Sequence, residues 1–171
     1  MTPIPALLMV ATLLPAADTV IPGPWSVRAG LAISSDQVRT LTRQEGSYLG
    51  GGLILPQRGI VGRMGFDVDW RAAWAGANRF DALSAVYIER KSIAEGTYAG
   101  LGAGASIVRL RQEQDTVATL RPTAKGVVGW VIPWKPPVHH GRVAVEAAGF
   151  LTDRVRGYQT HGLALALRGG F

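Results

Sequence analysis

From Trp25 onward, apolar and polar residues alternate at a spacing of two, and clusters of Gly, Pro, Asn and Asp interrupt them. Successive side chains on a strand point to opposite faces, so this pattern predicts strands with one apolar and one polar face. The clearest stretch is 60–72. Its even positions carry Ile60, Gly62, Met64, Phe66, Val68, Trp70 and Ala72, and its odd positions include Arg63, Asp67, Asp69 and Arg71. Eight such strands are expected, at 25–34, 47–55, 60–72, 79–91, 97–110, 117–132, 142–151 and 161–171. In the first, Trp25, Val27, Ala29, Leu31 and Ile33 oppose Ser26, Arg28 and Ser34. In the fourth, Phe80, Ala82, Val86 and Ile88 oppose Arg79, Asp81, Tyr87 and Glu89. In the sixth, Thr119, Arg121, Thr123 and Lys125 share a face, and Pro122 suggests a bulge or a later start. The seventh sets Val143, Val145, Ala147 and Leu151 against Arg142 and Glu146. The eighth sets Leu163, Leu165, Leu167 and Phe171 against Ala164, Ala166 and Arg168. The connections 35–46, 111–116 and 152–160 are polar, 56–59 is tight, and 133–141 is Pro-rich. The expected fold class is all-β, with eight antiparallel strands connected up and down into one barrel.

A soluble sandwich or ligand-binding barrel turns its apolar face inward, whereas a transmembrane barrel turns it outward to lipid. Alternation alone does not separate the two. Aromatics on the apolar face lie mostly near strand ends, at Trp25, Trp70, Phe80, Trp130 and Phe171, where an interfacial girdle would place them. The opposite face carries charges of both signs: Arg28, Arg63, Asp67, Asp69, Arg71, Arg79, Asp81, Glu89, Arg121, Arg142, Glu146 and Arg168. Such a set is costly to bury singly and pairs well inside a narrow lumen.

Composition narrows the classes. The 171 residues are 47% hydrophobic, which gives ample surface for a folded core and excludes a disordered chain. The absence of Cys excludes a disulfide scaffold, a Cys-ligated zinc site, a thiol nucleophile and a Cys-anchored lipoprotein. No apolar run reaches the ~20 residues of a membrane-spanning helix. Residues 1–17 contain no charged side chain, run almost continuously apolar from Ala6 to Leu14, and end in Pro15-Ala16-Ala17. They read as a secretory signal peptide cleaved near Ala17, leaving 18–171 as the barrel domain.

With these features together, the chain resembles the small outer-membrane β-barrel proteins of Gram-negative bacteria, the family of the OmpA transmembrane domain and its single-domain relatives. The residues that carry the likeness are the signal-like start, the Gly-rich stretch Tyr98-Ala99-Gly100-Leu101-Gly102-Ala103-Gly104, and the closing segment from Gly162 to Phe171. The resemblance spans about 25–171. It implies a monomeric barrel in the cell outer membrane, in contact with lipid and lipopolysaccharide, with both ends of the chain in the periplasm and the 35–46 connection outside. It implies that Phe171 serves as a C-terminal signal to the outer-membrane assembly machinery. The expected role is structural, in envelope integrity or surface interaction.

An eight-stranded barrel is only wide enough for its own side chains, so the charged face is expected to fill the lumen as a polar plug. Some barrels of this size modify lipid A with a base-activated hydroxyl. Here His161 is followed by Gly162 and Leu163, with no Ser nearby in sequence, and His139 and His140 fall in the 133–141 turn. A lipid A-modifying enzyme and a secreted soluble barrel for a small apolar ligand are therefore the alternatives. Asp67 and Asp69 lie about 7 Å apart along one strand face, as acid–base carboxylates would, but Arg63 and Arg71 flank them as ion-pair partners. The run Gly100 to Ala105 resembles a dinucleotide fingerprint, yet it lacks the last Gly and any helix after it. Small residues that ease close packing explain it better. Neither cofactor nor metal nor nucleic acid is expected. Arg39, Arg43, Arg154 and Arg156, in the outer connections, are candidates for lipopolysaccharide phosphates.

Overall fold

A computed structural model describes residues 23–42, 45–133 and 141–171. The predicted leader at 1–17, Arg43, His139 and His140 lie outside this described set. Eight strands follow one another: β1 (Trp25–Ser34), β2 (Gly46–Arg58), β3 (Arg63–Ala75), β4 (Asn78–Ala94), β5 (Thr97–Gln112), β6 (Asp115–Val131), β7 (Arg142–Thr152) and β8 (Gly162–Gly170). Each pairs antiparallel with the next, and β8 pairs with β1, so the sheet closes into a ring without edges.

Three local features differ from the sequence expectation. The third strand begins at Arg63, not at 60, because residues 59–62 form the turn from β2: the Gly59 N–H donates to the Gly62 carbonyl at 2.7 Å, and Ile60 is 98% exposed. Pro122 causes neither a bulge nor a late start. It pairs in register with Ala105 of β5, one residue beyond the last β6–β7 pair at Thr123. At that position β6 has a neighbour on one side only, where a missing N–H is tolerated. The polar connection after β1 holds a two-turn helix, α1 (Asp36–Thr42). The Ser35 hydroxyl accepts the Val38 N–H at 3.4 Å as an N-cap, and Asp36 lies in the first turn.

Helix α1 closes one end of the ring, called here the upper end. Its Val38 and Leu41 pack on Phe80, Ala82, Val108, Leu110 and Val155, so the upper interior is an apolar plug. Below the plug the interior combines buried charges with a second apolar cluster that includes Val86, Ile88, Val127 and Phe150. The outer wall is apolar instead: Val27 and Leu31 of β1 and Leu163, Leu165 and Leu167 of β8 are each more than half exposed. Buried charges inside and large apolar side chains on the outer wall are the opposite of the usual arrangement in a soluble barrel.

Candidate functional site

Three buried carboxylates organise the interior. Asp67 and Asp69 project inward from β3, and Glu146 from β7. Asp67 Oδ2 accepts from Arg28 Nη1 at 2.6 Å, Arg90 Nη2 at 2.5 Å and Lys125 Nζ at 2.6 Å. Asp69 accepts from Lys125 Nζ at 2.6 Å and from the Tyr48 hydroxyl at 2.6 Å, and lies 3.2 Å from Arg28 Nη2. Glu146 accepts from Arg168 Nη1 at 2.9 Å, the Tyr98 hydroxyl at 2.8 Å and Arg28 Nη1 at 3.3 Å. Arg28 thus reaches all three acids, and every strand supplies a member: Arg28, Tyr48, the Asp pair, Arg90, Tyr98, Lys125, Glu146 and Arg168 in chain order. Their side chains are essentially without solvent contact.

Neighbouring strands make room for this cluster. A Cβ at Gly50 would lie 2.5 Å from Asp69 Oδ1, and one at Gly52 would lie 2.5 Å from Asp67 Oδ1. The Gly-rich run of β2 is therefore the wall against which the carboxylates rest. In the Gly-rich stretch of β5, a Cβ at Gly104 would approach the Ala85 carbonyl to 2.0 Å, so tight contact with β4, not phosphate binding, accounts for these glycines. A hydroxyl chain crosses another part of the wall, with Ser84–Ser106 at 2.7 Å and Ser106–Thr123 at 2.5 Å.

Arg71 stands apart. It is buried above the network, its guanidinium lies 4.2 Å from the Phe150 ring centre and 5.9 Å from that of Phe80, and none of its nitrogens has a hydrogen-bond partner among the described residues. Cation–π contact is what it makes in place of hydrogen bonds. With Arg28, Arg90, Lys125 and Arg168, five buried cations face three buried carboxylates among the described residues.

No protein-family model matches the chain, and no curated protein matches it either.

Of the residues assigned to the lumen from sequence, Arg28, Asp67, Asp69, Arg71, Glu146 and Arg168 come together inside. Arg63 and Arg142 have the inward parity but lie exposed at the lower mouth. Arg121 lies at the upper mouth, 3.9 Å from Asp153. Arg79, Asp81 and Glu89 require correction, because β4 has the opposite facing. Val86 pairs with Asp67 and Ala82 with Arg71, and cross-strand partners share a face. The even residues of β4 consequently point inward. Arg79 and Asp81 pair with each other at 2.6 Å at the upper end of the outer wall. Glu89 accepts the Val61 N–H at 2.6 Å and so holds the lower turn. The same reversal moves Phe80 from the expected girdle into the apolar plug, where it is fully buried. Trp25 and Trp130 are exposed on the outer wall at the lower end, and Trp70 is partly covered. Trp74, which the spacing leaves unassigned, is exposed outside near the Gly76 turn. Phe171 is exposed beside Trp25, with its N–H donating to the Trp25 carbonyl at 3.0 Å.

The lumen set expected from sequence lacks Arg90, Tyr48 and Tyr98, and also Lys125, although the spacing puts Lys125 on the polar face of its strand. The signal for Arg90 is its even spacing from Ile88, visible only once the facing of β4 is known. Arg39, Arg154 and Arg156 all lie at the upper end, where Arg39 is 3.6 Å from Asp36 and Arg156 is 3.6 Å from Asp115. Ring closure also brings a serine next to His161, since the Ser35 N–H donates to the His161 carbonyl at 3.0 Å. The Ser35 hydroxyl already donates to the Gln159 carbonyl and accepts from Val38, so its proton is not directed at an imidazole.

Proposed function

We propose that this chain is an integral outer-membrane barrel whose lumen is filled by its own side chains, with a structural or envelope-integrity role. The observation that carries the reading is the inverted polarity. A cluster of ionised groups is buried inside the ring, while a band of Leu, Val and Trp side chains faces out. In water such a wall would expose apolar area far beyond what a monomeric soluble protein tolerates. In lipid the same wall is satisfied, and the closed ring leaves no unpaired backbone edge.

The interior supports a structural role over transport. The apolar plug under α1 and the charge network below it occupy the lumen in successive layers. A soluble barrel for an apolar ligand would need an apolar lumen, and the buried charges argue against one. Taken together, the upper connections (35–45, 76–77, 113–114 and 153–161) are longer than the lower ones (59–62, 95–96 and 132–141), which favours the upper end as the outer one although 132–141 is long for a periplasmic turn. There Arg39, Arg154 and Arg156 meet lipopolysaccharide phosphates.

The test is expression in a Gram-negative host with separation of the envelope. Recovery in the outer-membrane fraction, with heat-modifiable migration on a denaturing gel, is expected. Recovery as a soluble periplasmic protein overturns the proposal. Lipid A mass spectra that are the same with and without the protein are expected, and a changed acyl pattern would replace the structural role with an enzymatic one.

A further inference from the structure

The outer wall is not uniformly filled. Gly126 of β6 and Gly149 of β7 are cross-strand partners with outward parity, and together they form the floor of a groove of about 680 Å³. Leu101 and Leu163 border it. These two glycines differ from most others in the ring. A Cβ at Gly126 would come no closer than 3.6 Å to Leu101 Cδ2, and one at Gly149 no closer than 3.7 Å to Leu163 Cδ2. Packing against protein therefore does not require glycine at either position, and the space is open. The groove runs upward to Ser35, Asp36, Arg39 and His161, so its apolar floor ends in a polar rim, where Arg39 keeps only a long 3.6 Å contact to the solvent-exposed Asp36 carboxylate. The Arg39 side chain is half exposed there.

We propose that this groove holds one acyl chain of a lipid A molecule, with a lipid A phosphate against Arg39. The inference rests on the membrane reading above and on the upper end facing out. An acyl chain laid on a recessed glycine floor touches the wall on three sides, gaining dispersion contacts that a convex wall does not provide. The volume lies in the range of ligand clefts. A guanidinium at the rim binds a phosphate bidentately, and its position above an apolar channel matches an amphiphile with an anionic head. A second groove, beside Gly169 and lined by Val27, Val68 and Leu167, makes the contrast. Among the described residues its only charged lining residue is Arg28, whose side chain is buried inside the ring, so these residues offer no polar end to fix a headgroup.

The test uses full-length protein purified in detergent and incubated with equal amounts of lipid A and phosphatidylglycerol. Native mass spectrometry then reads the retained lipid. One lipid A adduct on the wild type is expected. Gly126→Leu and Gly149→Leu should each lower its occupancy about tenfold or more, equivalent to about 1.4 kcal/mol. Arg39→Gln should weaken it, and Gly169→Leu should leave it unchanged. No adduct, an adduct that ignores the glycine variants, or retention of phosphatidylglycerol in its place overturns the proposal. Envelope fractionation of the same proteins separates the two readings. A chain that fails to enter the outer membrane refutes the membrane reading, whereas one that enters it and retains no lipid A refutes the groove alone.

Discussion

Replacing Asp67 by Asn removes one negative charge and almost no volume, so it tests the charge network without opening a cavity. Three cations meet Asp67 Oδ2 at 2.5–2.6 Å. Arg28 and Lys125 keep Asp69 as a partner, and Arg28 also keeps Glu146. Arg90 has no other hydrogen-bond acceptor among the described residues. The loss is therefore mostly the penalty of leaving the buried Arg90 guanidinium without a hydrogen-bonded acceptor; removing one member of a buried pair costs about 3–5 kcal/mol, and the nearby Glu146 charge keeps the loss toward the lower end of that range. Summing three charge-assisted bonds would overstate it, because they share one oxygen. The assay is urea unfolding in detergent micelles, followed by tryptophan emission and by gel mobility of unheated samples. Asp115→Asn, at an exposed pair with Arg156, is the control and should leave the midpoint within replicate scatter. Arg90→Met added to Asp67→Asn should recover part of the loss, since it removes the orphaned charge. An Asp67→Asn midpoint equal to that of the control, or strict additivity in the double variant, would refute the reasoning.

Three further outcomes are expected. Val68→Arg, on the exposed mid-wall of β3, should cost ~2–4 kcal/mol in lipid vesicles; full tolerance there would mean that the wall does not face lipid. Phe80→Ala should cost about 3–5 kcal/mol, because it empties the plug beneath α1; a loss close to zero in the same urea titration would place Phe80 back on the outside. Arg71→Met should be neutral or stabilising by up to about 4 kcal/mol, since no hydrogen bond is lost and a costly desolvation is relieved; marked destabilisation would show that its aromatic contacts outweigh that cost.

The strand count, the up-and-down order and the pairing of polar with apolar faces were all legible in the chain, because side-chain direction on a strand has a period of exactly two residues. The phase of that period was legible where charge marked one face. Asp67, Asp69 and Arg71 on β3, Arg28 on β1 and Glu146 on β7 identify themselves, because ionised groups set in an otherwise apolar stretch need partners and gather on the face where they find them. On β4 the phase was not legible. There Arg79, Asp81 and Glu89 mark the outer face, held at the upper end and the lower turn, while Phe80, Ala82, Val86 and Ile88 face inward, since an apolar interior and an apolar outer wall select the same residue types. Only the register with β3, which places Val86 opposite Asp67, decides the side. Helix α1 escaped for a related reason: its seven residues carry too little periodicity to stand out, and Val38 and Leu41 make sense only above an open ring. The partners within the network are likewise tertiary. Lys125 lies 58 residues from Asp67 and Glu146 lies 118 from Arg28. Ring closure across all eight strands brings them within hydrogen-bond distance, and nothing local to either residue encodes that meeting.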